Sequence, residues 1–264
     1  MKTGQVRRPV AAGSFYPDDP TALQELVDEL LRESAPTGKR APAPGALIVP
    51  HAGYRFSGSI AATAYALVAP VTRVVLFGPG HFVPLTGMAI PAGAGWATPL
   101  GEVPIDDELR ERAAAAGAKV DDAPHELEHS LEVQLPFLQR VAGERFTVLP
   151  VAVGATGADA VADLIDALDD EPDRLIVVST DLSHYLDAET ARTLDRRTAD
   201  AVVERDPRAI RIEDACGVFA LRGIVEHARR HDLAIRLLDL RNSADTAGDP
   251  WRVVGYGAFA VGAP

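Results

Sequence analysis

The sequence predicts an α/β fold in a single domain, with a mainly parallel sheet flanked by helices. Apolar runs rich in β-branched residues alternate with helical patterns along the chain, which is typical of βαβ units. The 264 residues, 47% hydrophobic and 24% charged, suffice to bury one large core. We therefore expect residues 1–264 to form one domain.

Six apolar runs are predicted to be strands of this sheet: Ala46–Val49, Arg73–Phe77, Phe146–Val153, Arg174–Ser179, Ile235–Leu240 and Val253–Val261. Seven segments with helical periodicity lie around and between them: Pro20–Glu33, Ser57–Val68, Asp106–Ala116, Ser130–Val141, Ala158–Leu168, Ala188–Glu204 and Val218–Arg230. The Pro/Gly-rich stretch Ser34–Gly45 is predicted to connect the first helix to the first strand. A second Gly/Pro-rich zone, Thr86–Pro104, is predicted to form a hairpin or a lid-like excursion.

Charge and composition exclude several classes of partner. The net charge is −12, and no Lys/Arg-rich run interrupts the acidity, so we expect no nucleic-acid partner. No apolar run approaches the roughly 20 residues of a membrane-spanning helix, so no membrane association is expected. The start of the sequence lacks the apolar core of a signal peptide and Cys216 is the only cysteine, which predicts a cytoplasmic protein.

Three histidines stand just beyond the C-terminal ends of predicted buried strands. They are His51 in "LIVPHAGY", His81 in "FGPGHF" and His184 in "STDLSHY". Open α/β sheets place their ligands at such strand ends, and imidazole is a common ligand of transition metals. Each histidine alone can equally be a hydrogen-bonded loop residue, and the sequence leaves both interpretations open. Phosphate-loop and nucleophile-elbow spacings are absent, which disfavours nucleotide cofactors and serine hydrolases.

Cys216 precedes the predicted helix that begins at Val218. The positive end of a helix dipole lowers the pKa of a thiol and favours the metal-binding thiolate. A small buried apolar cysteine is the alternative.

Asp181 and His184 lie three residues apart after a predicted strand. A carboxylate in that position can orient an imidazole for acid/base chemistry. Asp181 can instead cap a helix that begins there, and the two roles are compatible.

The segment "HELEHSLEVQLPF" contains His129 at the expected start of the helix Ser130–Val141. Glutamates in a first helical turn interact favourably with the helix dipole without any further function. We expect His125, His227 and His231 to be surface residues without a functional role.

Six motifs in this order resemble those of the Memo family: "AGSFYP", "PHAGYRFSG", "GPGHFVPLTG", "EHSLEVQLPFL", "STDLSHY" and "ACG". The resemblance implies a fold similar to class III extradiol dioxygenases, with a metal cleft at the C-terminal edge of the sheet. By the same resemblance the metal ligands fall on His51, His81 and Cys216. Asp181 and His184 match residues beside that site, and His129 matches a histidine of the surrounding shell.

Iron(II) is the metal that the resemblance implies best, and copper and zinc are the alternatives. Relatives in bacteria and archaea are grouped with a radical SAM protein and an AMMECR1-like protein, which are therefore the expected protein partners. Cys216 replaces the carboxylate that dioxygenases of this class use, so a softer, oxidisable donor stands at the third position. Gln134 replaces a second histidine of the animal pattern, which predicts no role for that position.

These observations give three hypotheses for the function. The first is a metal-dependent redox enzyme, similar to dioxygenases, that acts on a small molecule, in which His184 or His129 moves protons and Asp181 orients His184. The second is a peptide- or partner-binding protein with a vestigial active site, which an exposed patch around Tyr54, Phe56 and Phe82 would support. The third is a metal-dependent hydrolase with His184 as the base.

Overall fold

A nine-stranded sheet forms the centre of the computed structural model, which describes residues 4–36, 42–143, 145–169 and 173–263. The strands are β1 (Val6–Arg7), β2 (Ala46–Val49), β3 (Arg73–Pro79), β4 (Met88–Ile90), β5 (Gly95–Thr98), β6 (Gly101–Pro104), β7 (Lys119–Val120), β8 (Thr147–Val153), β9 (Arg174–Ser179), β10 (His184–Leu186), β11 (Ala234–Asn242) and β12 (Val253–Gly262). The α-helices are α1 (Pro20–Glu33), α2 (Tyr54–Tyr65), α3 (Asp107–Ala115), α4 (Ala123–Glu126), α5 (Leu135–Val141), α6 (Ala158–Leu168), α7 (Ala188–Val203) and α8 (Val218–Arg230).

The centre of the large sheet is parallel, as predicted, and its flanks are antiparallel. Strands β2, β9, β3 and β8 pair in parallel in this order. On one side β12 pairs antiparallel with β2, β10 and β11, and on the other β4 pairs antiparallel with β8. The sheet is therefore mixed, because β12 returns directly from β11 and a short connection can join only antiparallel neighbours.

All six predicted strands are present, and two of them have the predicted bounds, Ala46–Val49 and Arg174–Ser179. Their side chains are buried throughout, as expected for central strands covered on both faces. The sequence reasoning missed six shorter strands, which have too few residues for a recognisable period.

Three helices have the predicted bounds, namely α1, α6 and α8. Helix α2 begins three residues earlier than predicted, at Tyr54. The expected helix Ser130–Val141 is shorter: a single 3₁₀ turn, Glu132–Gln134, leads into α5 at Leu135. Pro136 stands in the first turn of α5, where its missing N–H costs nothing, whereas inside a longer helix it would remove a hydrogen bond.

The zone Thr86–Pro104 contains a hairpin, as predicted. Strands β5 and β6 pair antiparallel, and β1 joins β5 to make a separate three-stranded sheet. Within the connector Ser34–Gly45, residues 37–41 lie outside the described part of the chain. No helix in the described ranges is long and apolar enough to cross a membrane.

The parallel strands of the centre end at the same edge of the sheet. Val49 at the end of β2 lies in register with Ser179 at the end of β9, and Phe77 of β3 is paired with Val178. The loops that follow these three strands therefore meet. This edge positions the candidate site.

Candidate metal site

His51 is fixed in position by the end of strand β9. It follows β2 by two residues, is 2% exposed, and donates its backbone N–H to Asp181 Oδ1 at 2.8 Å. Its Nδ1 lies 3.0 Å from Ser179 Oγ. The single hydroxyl proton of Ser179 is already donated to the Ser130 carbonyl at 2.6 Å, so Ser179 must accept the proton of His51 Nδ1. His51 Nε2 therefore carries the lone pair of the ring.

Gln134 holds Ser179 and the loop before His51 in place by hydrogen bonds. Its Nε2 donates to Ser179 Oγ at 2.9 Å and to the Pro50 carbonyl at 3.0 Å. Its Oε1 accepts a hydrogen bond from the Tyr65 hydroxyl at 2.9 Å. The expectation that this position has no role is wrong, because Gln134 is buried and holds both the loop before His51 and the serine that orients the ring.

Glu128 orients His81 in the same way. His81 follows β3 by two residues, donates its backbone N–H to Glu128 Oε2 at 2.5 Å, and places its Nδ1 2.8 Å from Glu128 Oε1. Burial alone would raise the pKa of Glu128, but the hydrogen bonds from His81 and Ser130 lower it to about 2. An ionised carboxylate accepts the Nδ1 proton and leaves Nε2 available, as in carboxylate–histidine–metal triads.

Sequence reasoning treated Glu128 only as a charge in a first helical turn. In the structure residues 127–131 are not helical, and the Glu128 side chain is fully buried. The only hint in the sequence is that Glu128 directly precedes His129; its burial, which shows that the carboxylate needs a partner, is visible only in the structure.

His129 completes a cluster of three imidazoles. Its ring stacks on His81 with centroids 4.9 Å apart and meets His51 edge-on at 5.6 Å. Phe15 covers it at 4.3 Å. His51, His81 and His129 each offer one nitrogen, and these nitrogens all lie within 4.8 Å of one another. This group can hold a metal ion.

The protonation states suit a cation. Burial, and secondly the neighbouring His81, lowers the pKa of His51 to about 3. Burial and the neighbouring His51 lower the pKa of His129 to about 4. Both rings are therefore neutral near pH 7, and the neutral imidazole is the form that binds metals.

Cys216 lies beside this group. Its Sγ is 3.2 Å from His51 Nε2 and accepts a hydrogen bond from the backbone N–H of Asp181 at 3.3 Å. Helix α8 does begin at Val218, but the expectation of a lowered thiol pKa is wrong for the metal-free site. Burial and the nearby Asp181 raise the pKa of Cys216. The assignment of Cys216 as a metal ligand stays a prediction.

Asp181 does not cap a helix. The segment after β9 is a loop followed by β10, and α7 is capped by Asp187, which accepts hydrogen bonds from Glu189 N and Thr190 N. The Asp181 carboxylate bonds to the His51 backbone, and no hydrogen bond to His184 is found among the described residues. Burial raises the pKa of Asp181. Both Asp181 and His184 nevertheless face the same cavity.

The cavity has a volume of about 830 Å³ and contains all six predicted site residues. Its outer wall includes two arginines, Arg55 and Arg252, each stacked on an aromatic ring. The Arg252 guanidinium lies 4.5 Å from the ring centre of Tyr185. Within the described ranges neither arginine forms an ion pair. Two cations therefore face the cavity without a carboxylate partner.

The three remaining histidines are outside this site. His125 and His227 are buried, 0% and 3% exposed, so their predicted surface location is wrong. His125 sits under Trp96, with ring centroids 5.7 Å apart, and His231 is exposed, as predicted.

Comparison with known proteins matches almost the entire chain to one family. The family described as "Memo-like protein" matches residues 7–260. A "MEMO1 family protein" of Aquifex aeolicus is 38% identical, covering 96% of this chain and 97% of the relative. Proteins of the same description from Methanosarcina acetivorans and Thermotoga neapolitana are 34% and 33% identical, and at least 95% of this chain and 98% of each relative are covered.

Proposed function

Since the chain belongs to the Memo family, we propose that it is a metal-dependent redox enzyme that acts on a small molecule in the manner of a dioxygenase. The observation that carries this proposal is the convergence of His51, His81 and His129 in one cavity, with ligand nitrogens within 4.8 Å of one another. Three imidazole ligands suit iron, copper and zinc, and iron(II) is our assignment.

The three histidines differ in how they are held. Ser179 and Glu128 fix the Nδ1 protons of His51 and His81, which points both Nε2 lone pairs away from their partners. In this proposal His129 takes the third position, for which the sequence resemblance implies Cys216, because its nitrogen lies within 4.8 Å of those of His51 and His81 and Cys216 does not belong to that group. Iron bound to these nitrogens would supply electron transfer between a substrate and dioxygen.

Proton transfer is assigned to two further groups that line the cavity, Asp181 and His184. Burial raises the pKa of Asp181, which favours a carboxyl group able to hold a proton next to the imidazoles. His184 is partly buried and lines the same cavity. Together they can deliver protons to, and accept protons from, a substrate bound in the cavity.

The outer wall favours an anionic substrate with an apolar body. Arg55 and Arg252 supply positive charge, and Phe15, Phe56 and Tyr185 supply aromatic surface. Guanidinium groups bind carboxylates and phosphates in a bidentate manner. The net charge of the protein is −12. On such an acidic protein, two cavity-lining arginines without an ion pair among the described residues point to an anionic ligand.

The alternative of a vestigial site that binds a peptide receives less support. Tyr54, one of the three aromatic residues of the expected patch, is 6% exposed and donates its hydroxyl proton to the Val133 carbonyl at 2.6 Å. Phe82 alone is well exposed, at 55%. A radical SAM protein and an AMMECR1-like protein remain the predicted partners.

Oxygen consumption tests the proposal. The iron(II)-loaded protein is mixed with a panel of aromatic carboxylates, phenols and thiols, and we expect oxygen uptake that depends on both the metal and one substrate class. Uptake should disappear in His51→Ala. Turnover that proceeds with zinc and without oxygen would instead support the hydrolase, in which His184 acts as the base.

A further inference from the structure

A second cluster of potential metal ligands joins helices α6 and α8. Its members are Asp166 on α6, His227 in the last turn of α8 and His231 at the end of that helix. The ligand atoms of the three residues lie within 4.8 Å of one another. None of them lines the cavity described above.

We propose that Asp166, His227 and His231 form a binding site for a divalent transition-metal ion, with zinc as the best fit, that clamps α6 to α8. Two histidines four residues apart lie on the same face of a helix, which is the spacing that lets two imidazoles bind one ion. A carboxylate oxygen from the neighbouring helix supplies the third ligand, and water fills the fourth position of a tetrahedral site.

The ligand atoms already point at a common place. His227 Nδ1 lies 2.6 Å from Asp166 Oδ1, and His231 Nε2 lies 2.9 Å from the same oxygen. In the metal-free protein each contact requires a proton on the nitrogen. A metal ion at this position replaces the two protons that join the nitrogens to Asp166 Oδ1. The two nitrogens and this oxygen therefore need to move apart only slightly when the ion binds.

The other nitrogen of His227 also has a suitable neighbour. Its Nε2 lies 3.6 Å from Asp169 Oδ2, which is within ion-pairing distance. When Nδ1 binds a metal, the ring proton must move to Nε2, and a nearby carboxylate stabilises that tautomer. His227 is 3% exposed, so its ring is held in place by packing.

Arg230 is the competing cation, and it uses the other oxygen of Asp166. Its Nη1 lies 3.3 Å from Asp166 Oδ2 and 2.7 Å from Asp163 Oδ1, and its Nη2 lies 2.7 Å from Asp159 Oδ1. Asp166 Oδ1 therefore remains available to a metal. These shared carboxylates keep Arg230 in place when the ion binds.

The two helices form a rigid frame for such a site. Gly223 of α8 packs directly on Val161 of α6, and a Cβ at Gly223 would lie 2.2 Å from Val161 Cγ1. Helix α8 begins next to Cys216, so at about 1.5 Å per residue its C-terminal histidines lie about 20 Å from the cavity. The second site is therefore independent of the first.

Zinc titration in a protein without the first site tests the proposal. In the His51→Ala/His81→Ala background we expect one equivalent of zinc to bind with micromolar affinity, measured by calorimetry and by equilibrium dialysis of zinc alone. Adding His231→Gln should weaken that affinity at least tenfold, and Asp166→Asn should do the same. Arg229→Gln, on the same helix and without a ligand atom in the cluster, should retain it.

Thermal unfolding gives an independent measurement. Because zinc would link two helices, it should raise the Tm of the His51→Ala/His81→Ala protein and leave the Tm of its His231→Gln derivative unchanged. Circular dichroism verifies that each variant is folded. Zinc binding that is absent from the background, or equally tight after His231→Gln, would overturn the proposal.

Discussion

Ser179 Oγ accepts the Nδ1 proton of His51 at 3.0 Å, because its own proton is donated to the Ser130 carbonyl. This contact determines which nitrogen of His51 can bind a metal. The hydrogen bonds that Ser179 makes with His51, Ser130 and Gln134 are therefore part of the candidate site, although Ser179 itself does not line the cavity.

Loss of the Ser179 hydroxyl should weaken metal binding. In Ser179→Ala the Nδ1 proton of His51 has no acceptor, the ring orientation is no longer fixed, and we expect an affinity for iron(II) about 10- to 100-fold lower. Anaerobic titration measures it. Ser183→Ala removes another buried serine hydroxyl from the same segment and serves as the matched control; equal affinities in the two variants would contradict the assigned role.

Gln134→Leu tests the hydrogen bonds that Gln134 donates to Ser179 and Pro50. Leucine keeps the size of the side chain but removes the donors to Ser179 and to the Pro50 carbonyl, so we expect weaker iron(II) binding and lower stability by about 1–3 kcal/mol. Chemical denaturation and metal titration measure the two effects. Gln134→Glu keeps an acceptor for Tyr65 but loses the donors; if this variant binds metal as the wild type does, the donors are not needed.

Substitution of the third donor distinguishes His129 from Cys216. We expect His129→Ala to lower the affinity for iron(II) at least 100-fold, whereas the affinity of Cys216→Ser should remain within about threefold of the wild type. Removal of a metal ligand lowers the affinity far more than removal of a residue beside the metal. The reverse result would restore Cys216 as the third ligand and give the site a soft donor.

The stability of the metal-free protein should fall as the pH is lowered below 6.5. The pKa values of His51 and His129 are depressed in the folded state to about 3 and about 4, against 6.5 for a free imidazole. Between these values the unfolded chain binds protons that the folded chain does not, so acid favours unfolding. His125, with its pKa lowered by burial to about 4, adds to the effect.

Urea unfolding as a function of pH measures this dependence. The slope of the unfolding free energy between pH 6.5 and about pH 4.5, above the range in which most carboxylates titrate, should decrease in His129→Gln. A flat profile in the wild type over that interval would show that the imidazoles are not held neutral by folding.

Arg252→Ala should weaken the binding of anions at the cavity mouth. We expect benzoate and phenyl phosphate to quench the fluorescence of the neighbouring Trp251, and neutral benzamide to have little effect. Removal of one charge-assisted contact should lower the affinity about tenfold. Arg236→Ala, an exposed arginine on β11 outside the cavity, is the control and should match the wild type.

Local sequence patterns predicted the central strands and several helices to the residue. Ala46–Val49 and Arg174–Ser179 are continuous apolar runs bounded by residues that end strands, and α1 begins at a proline behind a capping aspartate, Asp19. The antiparallel pairing of β12 with β2 could not be predicted, because a strand buried on both faces has the same residue pattern in a parallel and an antiparallel pair.

The candidate site was predictable only in part. The strand-end histidines His51 and His81 could be identified because parallel strands end together. The roles of Ser179, Gln134 and Glu128 depend on contacts between distant segments of the chain, such as that of Ser179 with His51, which is 128 residues away. No local pattern encodes such contacts. The lowered pKa expected for Cys216 failed for the same reason, since burial and Asp181 come from the tertiary structure.

Iron(II) titration of the wild type beside His51→Ala, His81→Ala and His129→Ala, under anaerobic conditions and with metal content measured by mass spectrometry, tests the central claim most directly. We predict one equivalent of iron at the cavity in the wild type and a loss of that equivalent in each of the three variants. Absence of binding in the wild type, or undiminished binding in the variants, would contradict a metal site at these imidazoles.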